Sequence, residues 1–179
     1  ANVTEVRTIG VINIGRGTSE MVGTSDVIDG GIVLNGGNAP ADSTLLISTS
    51  GGDIRFNGAI ELRSGVTITT SSNEDTGANT QTLGGNILFT DDATIDSDNV
   101  DATDSEENDL LLRAGTGNIS FNANIGTAGT FNQQLGDLVI EDTTGSVTFG
   151  GANTETTGSD LANVTEVRTI GVINIGRGT

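Results

Sequence analysis

Apolar residues recur along the chain in short period-two runs rather than at helical spacing. A five-residue pattern, Gly-x-[Ile/Val]-x-[Phe/Ile/Leu], appears as Gly10 to Ile14, Gly30 to Leu34, Gly52 to Phe56, Gly85 to Phe89, Gly117 to Phe121 and Gly145 to Phe149, and once more as Gly171 to Ile175. Alternation at period two places the Ile, Val and Phe positions on one face and the residues between them on the other. Each run is therefore predicted to be a half-buried strand. Ile12, Leu34, Ile54, Phe56, Ile87, Phe89, Ile119, Phe121, Val147 and Phe149 form the expected core, with Asn13, Val33, Arg55, Leu88, Ser120 and Thr148 facing out. A second alternating strand precedes most of these motifs, at Leu45 to Ile47, Val66 to Ile68, Leu110 to Leu112 and Leu138 to Ile140, with Thr4 to Val6 a shorter counterpart. A weaker third strand follows some of them, at Ala59 to Leu62 and Ala93 to Ile95. Gly, Ser, Thr and Asp runs such as Ser48 to Gly51 separate them and read as turns. The motif Gly is expected to supply a positive-φ bend at the corner.

A larger repeat encloses the small one. Residues 1–18 and 162–179 carry the same sequence, ANVTEVRTIGVINIGRGT, at an offset of 161 residues. This predicts a tandem array cut from a longer chain: 1–161 is one complete unit and 162–179 the first coil of the next. The motif ends step by 20, 22, 33, 32, 28 and 26 residues, which divides the unit into about six coils. Three short strands per coil, recurring at that interval, describe an all-β solenoid whose strands pair with their equivalents one coil away. Such stacking predicts an Asn ladder from Asn35, Asn57 and Asn122 at one corner, or else three αL turn residues. It also predicts that residues 1–18 and 162–179 share one local structure, displaced along the axis. Uneven coil lengths imply loops extruded at Ser71 to Leu83 and Asp96 to Asp109.

Composition narrows the chemistry. Leu, Ile, Val and Phe together number 47 of 179 residues, enough for a core and above the range of disordered chains. With no His, Cys or Lys, the chain lacks the usual nucleophile–base pairs, zinc ligands, disulfides and Schiff-base or P-loop lysines. Seven Arg face 24 acidic residues, for a formal charge of −17; one unit alone, with 5 Arg and 23 acids, carries −18. A polyanion of that kind repels phosphate backbones and anionic lipid surfaces, so neither nucleic acid nor a membrane is an expected partner. No apolar run approaches a membrane span.

The densest acidic run, Asp91 to Asp109, holds nine carboxylates in nineteen residues with no Arg. Asp96, Asp98, Asp101 and Asp104 are candidate calcium ligands, because calcium takes six to eight oxygens from flexible carboxylate loops. The EF-hand Gly and closing Glu are missing, and a solvated, solubilising loop is the alternative. Catalysis by carboxylate pairs is disfavoured, since the chain has no Trp or Tyr platform for a sugar and an enzyme repeated every unit would be unusual. No catalytic residue or cofactor other than calcium is expected. An ice-binding face suggested by Thr67-Ile68-Thr69 fails because the equivalent positions are Leu111, Val139 and Glu5. Asn2-Val3-Thr4 and Asn118-Ile119-Ser120 match the N-glycosylation pattern, although Ile119 belongs to the core. Arg55, Arg63 and Arg113 read as outward partners of nearby acids.

The runs LLISTSGGDIRFNGAIEL, NDLLLRAGTGNISFNANIG and GDLVIEDTTGSVTFGGA resemble the repeats of filamentous-haemagglutinin-like bacterial surface proteins. That resemblance implies a right-handed parallel β-helix, secreted to the cell surface or matrix, acting in adhesion, aggregation or biofilm structure. The coils here are longer and less regular than that family's, and nothing matches its secretion domain. The expected function is structural and non-catalytic: an extracellular fibre, matrix filament or surface stalk whose partners are further copies of the repeat, along the chain and laterally. The alternative is a ligand-binding adhesin whose extruded loops contact a host or neighbouring cell.

Overall fold

A computed structural model describes residues 5–15, 31–36, 44–71, 83–97, 108–126, 134–150, 166–169 and 171–176. Within them the chain forms strands and no helix. In chain order they are β1 (Glu5–Thr8), β2 (Ile12–Ile14), β3 (Ile32–Leu34), β4 (Leu45–Thr49), β5 (Ile54–Phe56), β6 (Ile60–Leu62) and β7 (Val66–Thr69). Then follow β8 (Ile87–Phe89), β9 (Ile95–Ser97), β10 (Leu110–Gly115), β11 (Ile119–Phe121), β12 (Leu138–Thr143), β13 (Val147–Phe149) and β14 (Ile173–Ile175).

Three sheets result. A long sheet runs β1-β4-β7-β10-β12-β14, a second runs β2-β5-β8-β11-β13, and a third runs β3-β6-β9. Every strand pair is parallel. Chain neighbours lie in different sheets while sheet neighbours lie a full circuit apart, the arrangement expected of a β-solenoid. Isolated parallel bridges carry the third sheet onward from Ile95 to Ile125 and from Ile125 to Val167.

Period-two alternation explains the burial. Interior strands such as β5, β6, β8 and β11 read buried, half-buried, buried. Their inward residues meet those of the other two sheets in one core that includes Ile54, Ile87, Ile119, Leu62, Ile68 and Leu112. Enclosing an Ile or Phe side chain this completely contributes about 1.5–3 kcal/mol of transfer free energy. Phe56, Phe89, Phe121 and Phe149 occupy one column, their rings nearly parallel with centroids 5.3, 5.0 and 4.9 Å apart. Those spacings follow from strand separation in a parallel sheet, because the rings sit at the same register on successive strands. The end strands are less enclosed: Ile12, Ile14, Val147 and Phe149 are half-buried, because each has a neighbouring level on one side only.

The motif Gly serves a different purpose from the expected one. Gly10, Gly52, Gly85, Gly117 and Gly145 have no positive φ; that conformation belongs to residues such as Gly51 (φ 85°) and to Gly15 and Gly150, just after β2 and β13. What the motif position demands is close approach. A Cβ at Gly52, Gly85, Gly117 or Gly145 would lie inside van der Waals distance of the backbone of the Gly one level before it. Side chains are therefore excluded by the stacking itself.

Two expectations about register are corrected. Ile32–Leu34, the strand of the Gly30-to-Leu34 motif, does not join the column of its five counterparts: β3 pairs with β6 in the third sheet, Leu34 opposite Leu62. Its spacing matches the motif because all three sheets bury alternate residues. Nor do the two copies of the 18-residue sequence share a placement. In the first copy, Glu5–Thr8 lies on β4 in the long sheet and Ile12–Ile14 on β5 in the second sheet. In the second copy, Val167 extends the third sheet beyond Ile125 and Ile173–Ile175 lies on β12 in the long sheet.

Candidate functional site

The corners of the stack carry its most ordered polar chemistry. Where the chain turns into the second sheet, the residue before each of β8, β11 and β13 has a backbone N–H at the end of the ladder, and a side chain one level away accepts from it. Asn86 N donates to Asp53 Oδ1 at 2.6 Å, Asn118 N to Asn86 Oδ1 at 3.0 Å, and Ser146 N to Asn118 Oδ1 at 2.9 Å. The side-chain amides continue the chain, Asn86 Nδ2 to Asp53 Oδ1 and Asn118 Nδ2 to Asn86 Oδ1, both at 3.2 Å, and Ser146 Oγ bonds Asn118 Oδ1 at 2.8 Å. A second ladder precedes the long sheet, with Asp137 N donating to Asp109 Oδ1 at 2.7 Å and Val172 N to Asp137 Oδ1 at 2.6 Å. Such bonds satisfy backbone donors that strand pairing leaves over.

This is not the predicted Asn ladder. Asn57 and Asn122 do share the corner after the second sheet, but Thr90 lies between them in the stack. Thr90 N donates to Phe56 O and Asn122 N to Phe89 O, at 3.1 and 3.0 Å. Asn57 is buried, and its Oδ1 accepts the Thr90 hydroxyl at 2.7 Å. Asn35 follows β3 and belongs to a different sheet. None of the three has positive φ. The Asp53–Asn86–Asn118–Ser146 column was legible in principle, as the residue after the motif Gly in four successive second-sheet strands.

Of the candidate calcium ligands, Asp96 lies in β9, where it is paired in register with Glu61 of β6 and half-buried. Asp98, Asp101 and Asp104 lie outside the described residues. The Asp109 carboxylate is engaged in the corner ladder. Among the described residues no three carboxylates gather as a metal ligand set.

The arginines divide. Arg63 Nε meets Glu61 at 2.6 Å, and Arg113 meets Glu141 through Nε at 2.8 Å and also through Nη2. Asp142 Oδ2 lies 3.7 Å from Arg113 Nε. Arg55, expected to pair with an acid, instead reaches one level across the sheet to Asn13 Oδ1 at 3.4 Å and Gly15 O at 3.3 Å. The Arg55 and Arg113 contacts join adjacent levels, whereas Arg63–Glu61 lies within one level; exposed ion pairs of this kind contribute at most about 1 kcal/mol each.

The two ends of the stack are the remaining surfaces. Among the described residues, β1, β2 and β3 have no further strand at one end, and at the other β14 ends the long sheet and β13 ends the second sheet. Unpaired parallel edges are templates for a further strand. No family model, curated protein or solved structure matches the chain.

Proposed function

We propose that the chain is a structural, non-catalytic segment of a secreted tandem-repeat β-solenoid, a right-handed parallel β-helix like the filamentous-haemagglutinin-like proteins its repeats resemble. It builds an extracellular fibre, matrix filament or surface stalk. One observation carries this reading: a core of stacked parallel strands whose end strands have no further partner among the described residues, in a chain that repeats residues 1–18 after 161 residues. A scaffold of this kind lengthens by adding levels, and each new unit covers the edge left by the last.

In this reading the unit has five coils, not six. Its levels begin at β1, β4, β7, β10 and β12, and β3 (Ile32–Leu34) is the third side of the first level. Five levels at the strand spacing advance the axis by about 24 Å per unit. The surrounding charge of −18 per unit keeps neighbouring fibres apart unless cations intervene.

Fibre diffraction or helical reconstruction of a multi-unit array tests the proposal. It requires a meridional reflection near 4.8 Å with a superrepeat of about 24 Å. A beaded repeat of roughly 40–50 Å, set by separate domains of this size, refutes it.

A further inference from the structure

The second sheet stops one strand short of what the sequence supplies. Among the described residues, β13 pairs with β11 and with no strand on its other side. Its inward residues Val147 and Phe149 are half-buried, whereas Ile119 and Phe121 one level away are 0% exposed. The Phe149 ring stacks on Phe121, and among the described residues no ring covers its other face. Meanwhile Gly171-Val172-Ile173-Asn174-Ile175 lies on β12, in the neighbouring sheet, with Ile173 and Ile175 each 47% exposed.

The same five residues already occupy the second sheet at the opposite end. There Ile12, Asn13 and Ile14 pair with Ile54, Arg55 and Phe56, and Gly10 sits in the Gly column against Gly52. Carried through the register, that seat at the far end places Gly171 against Gly145, Ile173 opposite Val147, Asn174 opposite Thr148 and Ile175 opposite Phe149. Every level after the first admits only Gly in this column, and residue 171 is Gly. The seat on β12 also leaves no room for a Cβ at 171, where the Asp137 carboxylate stands, so both seats accept one and the same sequence.

We propose that the free edge of β13 is a docking site for Gly171 to Ile175, which moves there from β12 by a shift of one strand position around the stack; this rests on the solenoid reading above. The shift vacates β12 for Glu166 to Thr169, whose identical twin Glu5–Thr8 lies on β4. Propagating that register puts Val167 opposite Ile140 and Arg168 opposite Glu141, an apolar pair and a charge-complementary pair that both favour strand pairing. The seat on β12 is held by its three-residue ladder and by the bond from Val172 N to Asp137 Oδ1. The segment thus has two seats, one that closes the stack and one that continues it as an identical unit.

Because the chain has no Cys, engineered pairs report each seat cleanly. Directly paired residues on parallel strands lie within disulfide range. Three double variants of the 179-residue chain are oxidised mildly: Val139→Cys with Asn174→Cys for the β12 seat, Thr148→Cys with Asn174→Cys for the β13 seat, and Leu88→Cys with Ser120→Cys across the paired β8 and β11. All five positions lie on the outward face. The proposal expects an intramolecular disulfide in all three, with the β13 pair closing in at least a tenth of the molecules. Closure of the β12 pair without the β13 pair overturns it. A Thr148–Asn174 disulfide found only between molecules also overturns it, by showing that the edge takes a second copy instead. If the Leu88–Ser120 pair fails as well, the stacked-sheet reading beneath the proposal falls with it.

Discussion

At the residue scale, two columns impose opposite demands. The Phe column needs bulk: Phe121 is fully enclosed between Phe89 and Phe149. Phe121→Ala is expected to cost about 3–5 kcal/mol, read by chemical denaturation, whereas Phe149→Ala at the stack end costs distinctly less. Equal losses would mean that the end is covered. The Gly column needs absence of bulk. Gly117→Ala drives a methyl group into the Gly85 carbonyl, while Gly10→Ala meets only Thr8 Oγ1 at 3.9 Å. The first is expected to destabilise by about 1–3 kcal/mol as overpacking, and the second to lie within about 0.5 kcal/mol of the parent. If both substitutions are tolerated alike, close stacking at this corner is wrong. The sequence marked the Gly positions correctly but suggested the wrong cause, since a glycine required by a neighbouring level looks the same in one dimension as one required by its own φ.

At the scale of elements, strands were legible, and so was their sheet membership except for Ile32–Leu34 and Ile173–Ile175. Leu45 to Ile47, Val66 to Ile68, Leu110 to Leu112 and Leu138 to Ile140 all form strands of the long sheet, as alternation predicts. Ile32–Leu34 has the same alternation and ends up in the third sheet. Alternation reports that one face is buried and says nothing about which of three inner faces it joins. The corner ladder is also an inter-element feature. Asn118 serves two levels at once, accepting from Ser146 N while donating to Asn86. Asn118→Ala removes an acceptor from a solvent-accessible N–H, so a loss of about 0.5–1.5 kcal/mol is expected. Asn118→Asp keeps the acceptor and should recover most of it at pH 7; failure of that rescue would show that the ladder does not hold the corner. For the acidic loop, calcium binding through Asp96, Asp98, Asp101 and Asp104 predicts a melting temperature that rises with millimolar calcium and a response lost when these residues are replaced by Asn. A flat response leaves the loop as solvated charge.

At the scale of the whole molecule, charge and topology act together. A net charge of −17 with no His opposes compaction by self-repulsion, which added salt screens over a length of about 10 Å at 0.1 M. Melting temperature is therefore expected to rise between 10 and 300 mM sodium chloride. A fall across that range would mean that the Arg113–Glu141 and Arg63–Glu61 pairs outweigh the repulsion.

The sequence by itself determined the class of structure. Gly-bounded, period-two runs with β-branched and Phe residues at fixed slots specify short strands with one buried face, and their recurrence specifies stacking, because both are properties of neighbouring residues. The tertiary structure decided which strand lies on which. That choice depends on partners tens of residues away, and the repeated sequence makes the point directly: Ile12-Asn13-Ile14 pairs with β5 in the second sheet, while the identical Ile173-Asn174-Ile175 pairs with β12 in the long sheet. Parallel strands bond through backbone groups that every residue carries, and the inner faces of all three sheets accept the same apolar side chains. Local sequence can then fit more than one seat, and the surrounding levels select among them.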